Sequence, residues 1–251
     1  MVVGHDHLGH GKTAKTPEDW GYFADGESPE ILIGDMNKLR TLSQEPDKPY
    51  FMLGHSMGSY LLRRYLSVYG GGLSGAVIMG TGANPDAVAK LGMAVCKAIA
   101  AFKGWKYRSP FMEKLFFSGD FQKFDMDGTH PENSWLTKDT EIVRFYYSEP
   151  RCTFKFTLKA YYDFLKTVYY VNRKENVEKI PKDLPILMVA GDCDPVGEFG
   201  KAVKRVYEMY KAAGINDVTL KLYENDRHEI LNETDKERVF DDIFNWCEGR
   251  R

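Results

Sequence analysis

The stretch Pro49-Tyr50-Phe51-Met52-Leu53-Gly54-His55-Ser56-Met57-Gly58 decides how this chain is read. Its first half is short, apolar and ends on glycine, the pattern of a buried parallel strand. From Ser56 to Tyr69, apolar residues recur with helical spacing at Met57, Tyr60, Leu61, Tyr65 and Val68, with Arg63 and Arg64 on another face. A second apolar run follows, Ser74-Gly75-Ala76-Val77-Ile78-Met79-Gly80, and it also reads as a buried strand. Strand, helix and strand in this order predict a βαβ unit, and such units build parallel sheets. The G-x-S-x-G at the junction is a weak signal alone. Between a strand and a helix it marks a sharp turn that lifts a serine hydroxyl above the sheet edge and needs small neighbours two residues either side. Ser56 is the candidate nucleophile.

Working outward, the texture changes from about Ala83 to Lys182. Strand signals fade and aromatic-rich helical pieces appear, among them Leu115-Phe116-Phe117, Phe145-Tyr146-Tyr147 and Tyr161-Tyr162-Asp163-Phe164-Leu165. Then the alternation resumes. Pro185 to Gly191 reads as a buried strand, Gly200 to Ala213 as a helix closed by Gly214, and Val218 to Tyr223 as a strand with one wetter face. A last helix is expected from near Thr234, where Thr234 and Glu237 have capping-box spacing. The expected layout is a split α/β core, residues 1–82 and 183–251, interrupted by a helical cap or lid over residues 83–182.

A serine hydroxyl needs a base, and the base needs a carboxylate to orient it. In hydrolases built on this strand–elbow–helix architecture the order along the chain is serine, acid, histidine, and sites in parallel α/β sheets collect after strand C-termini. Gly191-Asp192-Cys193-Asp194-Pro195-Val196-Gly197 follows a strand and offers two acids; Asp194 is the candidate, with Asp192 as a structural carboxylate. Of six histidines only His130 and His228 lie after Ser56, and His130 precedes the acid. His228 is the candidate base. The N–H of Met57, directly after the nucleophile, supplies one oxyanion donor. A second donor loop is not found in Met1 to Tyr50. That segment has a rival use: His5, His7 and His10 form an H-x-H-x-x-H pattern of possible zinc ligands, although Gly9 and Gly11 favour a compact polar turn.

Composition narrows the classes further. The chain has 251 residues, 43% of them hydrophobic and 28% charged, enough for a buried core. Its net charge of −2 leaves no basic excess to neutralise nucleic acid. No apolar run reaches the roughly 18 residues of a membrane-spanning helix. Four scattered cysteines, Cys96, Cys152, Cys193 and Cys247, fit reduced thiols and a cytoplasmic location.

Taken together, these motifs resemble the monoacylglycerol lipase and lysophospholipase group of α/β-hydrolases, related to the serine aminopeptidase S33-type lipases. The resemblance runs along essentially the whole chain. Gly4-His5-Asp6-His7-Leu8-Gly9-His10-Gly11 is similar to the family's loop after its fourth strand, and Gly54 to Gly58 to its nucleophile elbow. Trp135-Leu136-Thr137-Lys138-Asp139 and Glu149-Pro150-Arg151-Cys152 look like cap landmarks, while Gly191 to Gly197 and Arg227 to Glu233 resemble the acid and histidine motifs. The resemblance implies a Ser56, Asp194 and His228 triad, in agreement with the chain order. Family members carry further N-terminal strands and a His-Gly oxyanion loop. The fold expected here is accordingly an N-terminally truncated α/β-hydrolase, mostly parallel, with a helical cap. The implied activity is hydrolysis of a small single-chain lipid ester, a lysophospholipid or monoacylglycerol, with no cofactor. An apolar cap underside would suit one acyl chain, and the cap could touch a membrane surface transiently. Two other readings stand beside this one: a catalytically impaired hydrolase-fold protein, and a metal-dependent hydrolase using His5, His7 and His10.

Overall fold

The computed structural model describes residues 1–250. Four strands, β1 (Phe51–His55), β2 (Gly75–Met79), β3 (Ile186–Gly191) and β4 (Val218–Tyr223), form one parallel sheet in the order β1-β2-β3-β4. Phe51 aligns with Gly75, Ala76 with Ile186, and Ile186 with Val218. The two central strands are buried at every residue. This is why both read as unbroken apolar runs. β1 was expected to be buried as well. It lies instead at the sheet edge with a strand on one side only, and the Leu53 side chain is half exposed. β4, the other edge, alternates in the way its sequence predicts.

The ten helices are α1 (Ser28–Ser43), α2 (Met57–Tyr69), α3 (Asp86–Lys103), α4 (Pro110–Phe116), α5 (Thr140–Ser148), α6 (Pro150–Thr153), α7 (Leu158–Val171), α8 (Lys174–Val177), α9 (Lys201–Ala212) and α10 (Glu237–Glu248), counted over the described residues. Strand alternation divides the core. Ala76, Ile78, Ile186 and Met188 face α1, α2 and α9 through Leu32, Leu62, Leu66 and Val206. Val77, Met79, Leu187 and Val189 face α10 through Val239 and Trp246. Between β2 and β3 the described chain is helical. There α3, α4 and α7 bury a separate cluster of Cys96, Met112, Leu158, Tyr161, Leu165 and Val168. Most insertion aromatics therefore pack against one another.

Arg63 and Arg64, on the other face of α2, are nonetheless buried, at 1% and 6% exposed. Arg63 donates to Gly82 O (2.8 Å), Thr81 Oγ1 (3.1 Å), Asn172 Oδ1 (2.8 Å) and Val171 O (3.2 Å) at the C-terminal end of α7. Arg64 pairs with Glu30 of α1 and lies 4.1 Å from the Tyr170 ring centroid. Helix α2 is thus covered on both sides, and its arginines tie α1 and α7 to it. Helix α1 carried no reading at all, although Pro29 at its start is an ordinary first-turn residue. Finally, α10 starts at Glu237 without a side-chain cap, so the Thr234–Glu237 box does not form. The preceding Glu233 is turned inward and fully buried, which commits residues 233–236 to a turn.

Candidate active site

Ser56 occupies the turn between β1 and α2 with φ 52° and ψ −124°. A non-glycine residue is strained there, by about 1–3 kcal/mol. Its N–H is held by the carbonyl of Met79 at 3.1 Å. Met57 opens α2, where the first N–H groups have no carbonyl partner within the helix. The demand for small neighbours falls on one side of the elbow. A Cβ on Gly54 would run into the Gly58 carbonyl and sit 3.0 Å from Leu62 Cβ, whereas a Cβ on Gly58 would meet nothing within 4 Å.

Asp194 and His228 meet. Asp194, fully buried in the loop after β3, has its Oδ2 2.9 Å from His228 Nδ1 and its Oδ1 2.8 Å from the Val196 N–H. With the carboxylate as acceptor, Nδ1 carries the proton and Nε2 is the basic nitrogen. His228 Nε2 is buried and has no hydrogen-bond partner, so no bond to Ser56 Oγ is formed in this state. The other acid does something else: Asp192 Oδ1 accepts the Asn225 N–H at 2.8 Å and shapes the turn after β4.

Serine and histidine are brought to the same place by their neighbours. His55, adjacent to Ser56, puts its Nε2 3.0 Å from the His228 carbonyl, with the two rings 4.6 Å apart. Gly80, at φ 58°, fills the gap; a Cβ there would sit 3.1 Å from His228 Cε1 and 3.2 Å from His55 Cδ2. Burial, helped by the positive charge His228 can carry, lowers the His55 pKa to about 4, so the ring is neutral and donates from Nε2.

The loop bearing His228 is fixed to residues 132–138 by contacts that the sequence reading missed. Backbone N–H groups of His228 and Glu229 donate to the carbonyls of Trp135 (3.3 Å) and Leu136 (2.7 Å). The Arg227 guanidinium donates to the carbonyls of Glu132, Ser134 and Thr137. The buried Glu233 carboxylate accepts from the Arg227 N–H (2.7 Å), the Lys138 N–H (3.0 Å) and the Thr137 hydroxyl (3.1 Å). Lys138 Nζ reaches the buried Asp226 at 2.6 Å. The only hint in sequence was the density of charge around His228 beside apolar Ile230 and Leu231.

The N-terminal histidines do not converge on a metal. His10 Nδ1 lies 3.1 Å from the Leu8 carbonyl, and its ring packs against Phe23, Phe154 and Phe156. His5 meets His7 edge to face at 4.9 Å. Among the described residues no group of three or more His, Cys, Asp or Glu side chains is arranged to hold a metal ion.

A parallel sheet with a strained elbow serine after β1, and an acid after β3 hydrogen-bonded to a histidine after β4, defines an α/β-hydrolase. The family model described as Serine aminopeptidase, S33 matches residues 1–235, and the chain belongs to that family. It is a serine-type hydrolase of the lipase and esterase kind. Among similar proteins are the monoacylglycerol lipase of Mycolicibacterium smegmatis, 26% identical over 98% of this chain and 77% of the relative, and the monoglyceride lipase of Mus musculus, 26% identical over 100% and 74%. A thermostable carboxyl esterase from Bacillus coagulans, solved with glycerol, superposes with a TM-score of 0.85 at 32% identity over 98% of this chain and 79% of that one.

Proposed function

We propose that the protein hydrolyses single-chain lipid esters through an acyl-enzyme, with Ser56 as nucleophile, His228 as base and Asp194 as its orienting acid. The carrying observation is the buried Asp194–His228 hydrogen bond beside the elbow that bears Ser56. In the reaction, Ser56 Oγ attacks the ester carbonyl while His228 Nε2 takes its proton. The developing oxyanion accepts a hydrogen bond from the Met57 N–H. His228 then gives the proton to the leaving alcohol, and a water, deprotonated by the same nitrogen, releases the fatty acid. No step requires a metal or organic cofactor.

The substrate class draws on the relatives, two of which are monoacylglycerol or monoglyceride lipases. Residues 83–182 act in this reading as the cap over the acyl site. The same cap gives the protein a face for transient contact with a lipid surface. Phe102, 89% exposed, lies with exposed Val88 and Leu91 on α3, Phe111 and Leu115 are exposed on α4, and Lys90, Lys103 and Lys114 belong to the same two helices. No described helix is long and apolar enough to cross a membrane. Four cysteines, none of them in a disulfide, fit a cytoplasmic location.

A fluorophosphonate probe should label the protein and fail on Ser56→Ala. A panel of monoacylglycerol, lysophosphatidylcholine and p-nitrophenyl esters then ranks head groups and chain lengths. No labelling of the unaltered protein would mean an impaired hydrolase, and activity surviving Ser56→Ala would remove the mechanism.

A further inference from the structure

Trp135 meets His228 twice. Its carbonyl accepts the His228 N–H, and its indole lies 5.0 Å from the imidazole centroid at an interplanar angle of 31°. At that tilt the ring face, not its edge, is turned towards the base. The indole in turn packs on Phe121 at 5.4 Å and Phe117 at 6.1 Å. It belongs to the segment that Glu233 and Arg227 bind to the histidine loop, so its place is set by buried hydrogen bonds and not by exposed side-chain packing.

During acyl transfer the His228 imidazole becomes an imidazolium, in a site where the side chain is 2% exposed. Water cannot solvate that charge. The titratable groups facing it are Asp194 at Nδ1 and the neutral His55. Lys138, Asp226 and Glu233 lie in the next layer and are bound to one another. The face of an indole attracts a cation within about 6 Å of its centroid, more than phenylalanine or tyrosine does, and leaves the cation's N–H groups free. An attraction that exists only when the ring is charged acts on the transition state and not on substrate binding.

We propose that Trp135 is a positioning residue of the hydrolytic reaction: its indole face stabilises the His228 imidazolium and its backbone fixes the ring, so the segment supplied between β2 and β3 completes the base. This rests on His228 being the base.

The test compares Trp135→Phe and Trp135→Leu in the full chain with a p-nitrophenyl ester. Trp135→Leu should lower kcat about ten- to thirty-fold with KM within about twofold, and Trp135→Phe should recover most of the loss. Thermal melts of the two variants should agree, separating the effect from folding. Unchanged kcat in Trp135→Leu, or a loss confined to KM, would each overturn the proposal. If the unaltered protein shows no Ser56-dependent turnover, the hydrolase reading fails and this inference fails with it. Ser56-dependent turnover with an unaffected Trp135→Leu refutes only the role of Trp135.

Discussion

The two glycines of the elbow motif should respond in opposite ways to the same added methyl group. At Gly54, Cβ would press into the Gly58 carbonyl and stand 3.0 Å from Leu62 Cβ. Neither obstacle is the far end of a flexible side chain; one is backbone in the first turn of α2 and the other is a buried core residue. Relief requires the strand and helix to move apart, and overpacking of this kind costs about 1–3 kcal/mol. At Gly58 the methyl enters open space inside a helix, where alanine is favoured over glycine by about 0.5–1 kcal/mol. For a domain of this size 1 kcal/mol moves Tm by about 2–4 °C. Gly54→Ala should therefore melt several degrees lower, and Gly58→Ala should melt slightly higher. Urea denaturation with unchanged m-values would give the free energies, and probe labelling would report the elbow: reduced in Gly54→Ala because Ser56 is displaced with the turn. A Gly54→Ala protein as stable as the parent, or a Gly58→Ala protein destabilised by more than about 1 kcal/mol, would refute the steric account of the motif.

Other outcomes follow from the same contacts. Asp194→Asn cannot hold His228 in the tautomer with Nδ1–H donating, so kcat should fall by about 10⁴ while the melt changes little; a loss below tenfold counts against the triad. Glu233→Ala leaves the Arg227 and Lys138 N–H groups without their acceptor, while the Thr137 hydroxyl keeps the Asn232 carbonyl, and should cost about 2–4 kcal/mol; Glu233→Gln, which keeps the shape and loses part of the accepting capacity, should cost about 1–3 kcal/mol, both read by urea midpoints. Acid stability should fall early. His55 and His7 are each lowered by burial from 6.5 to about 4, so the unfolded chain takes up protons from pH 6.5 downward while the folded chain does not until near pH 4. Stability is then lost as pH drops through that window, by about 2 kcal/mol per histidine at pH 5. His55→Gln should remove its share of the slope between pH 7.5 and pH 5, and an unchanged slope would contradict the assignment.

The sequence by itself determined the parallel core and the order of the chemical groups. Short unbroken apolar runs bounded by turn residues fit strands buried on two faces, as β2 and β3 are, and a glycine-flanked serine between a strand and a helix fits a sharp turn. Both are local signals, written in neighbouring residues. Chain order singled out His228 over His130, while nothing local separated Asp194 from Asp192; it is Asp194 that bonds His228, and Asp192 shapes a turn. What tertiary structure decided was long-range. Whether β1 is central or an edge depends on which strands pair beside it, and whether Arg63 meets water depends on α7, more than a hundred positions away. The capping box at Thr234 was locally valid and lost to Glu233, whose carboxylate satisfies donors from residues 137 and 138. Trp135 likewise carries no mark of its proximity to His228, because burial of charge and stacking of rings are settled only when distant segments are packed together.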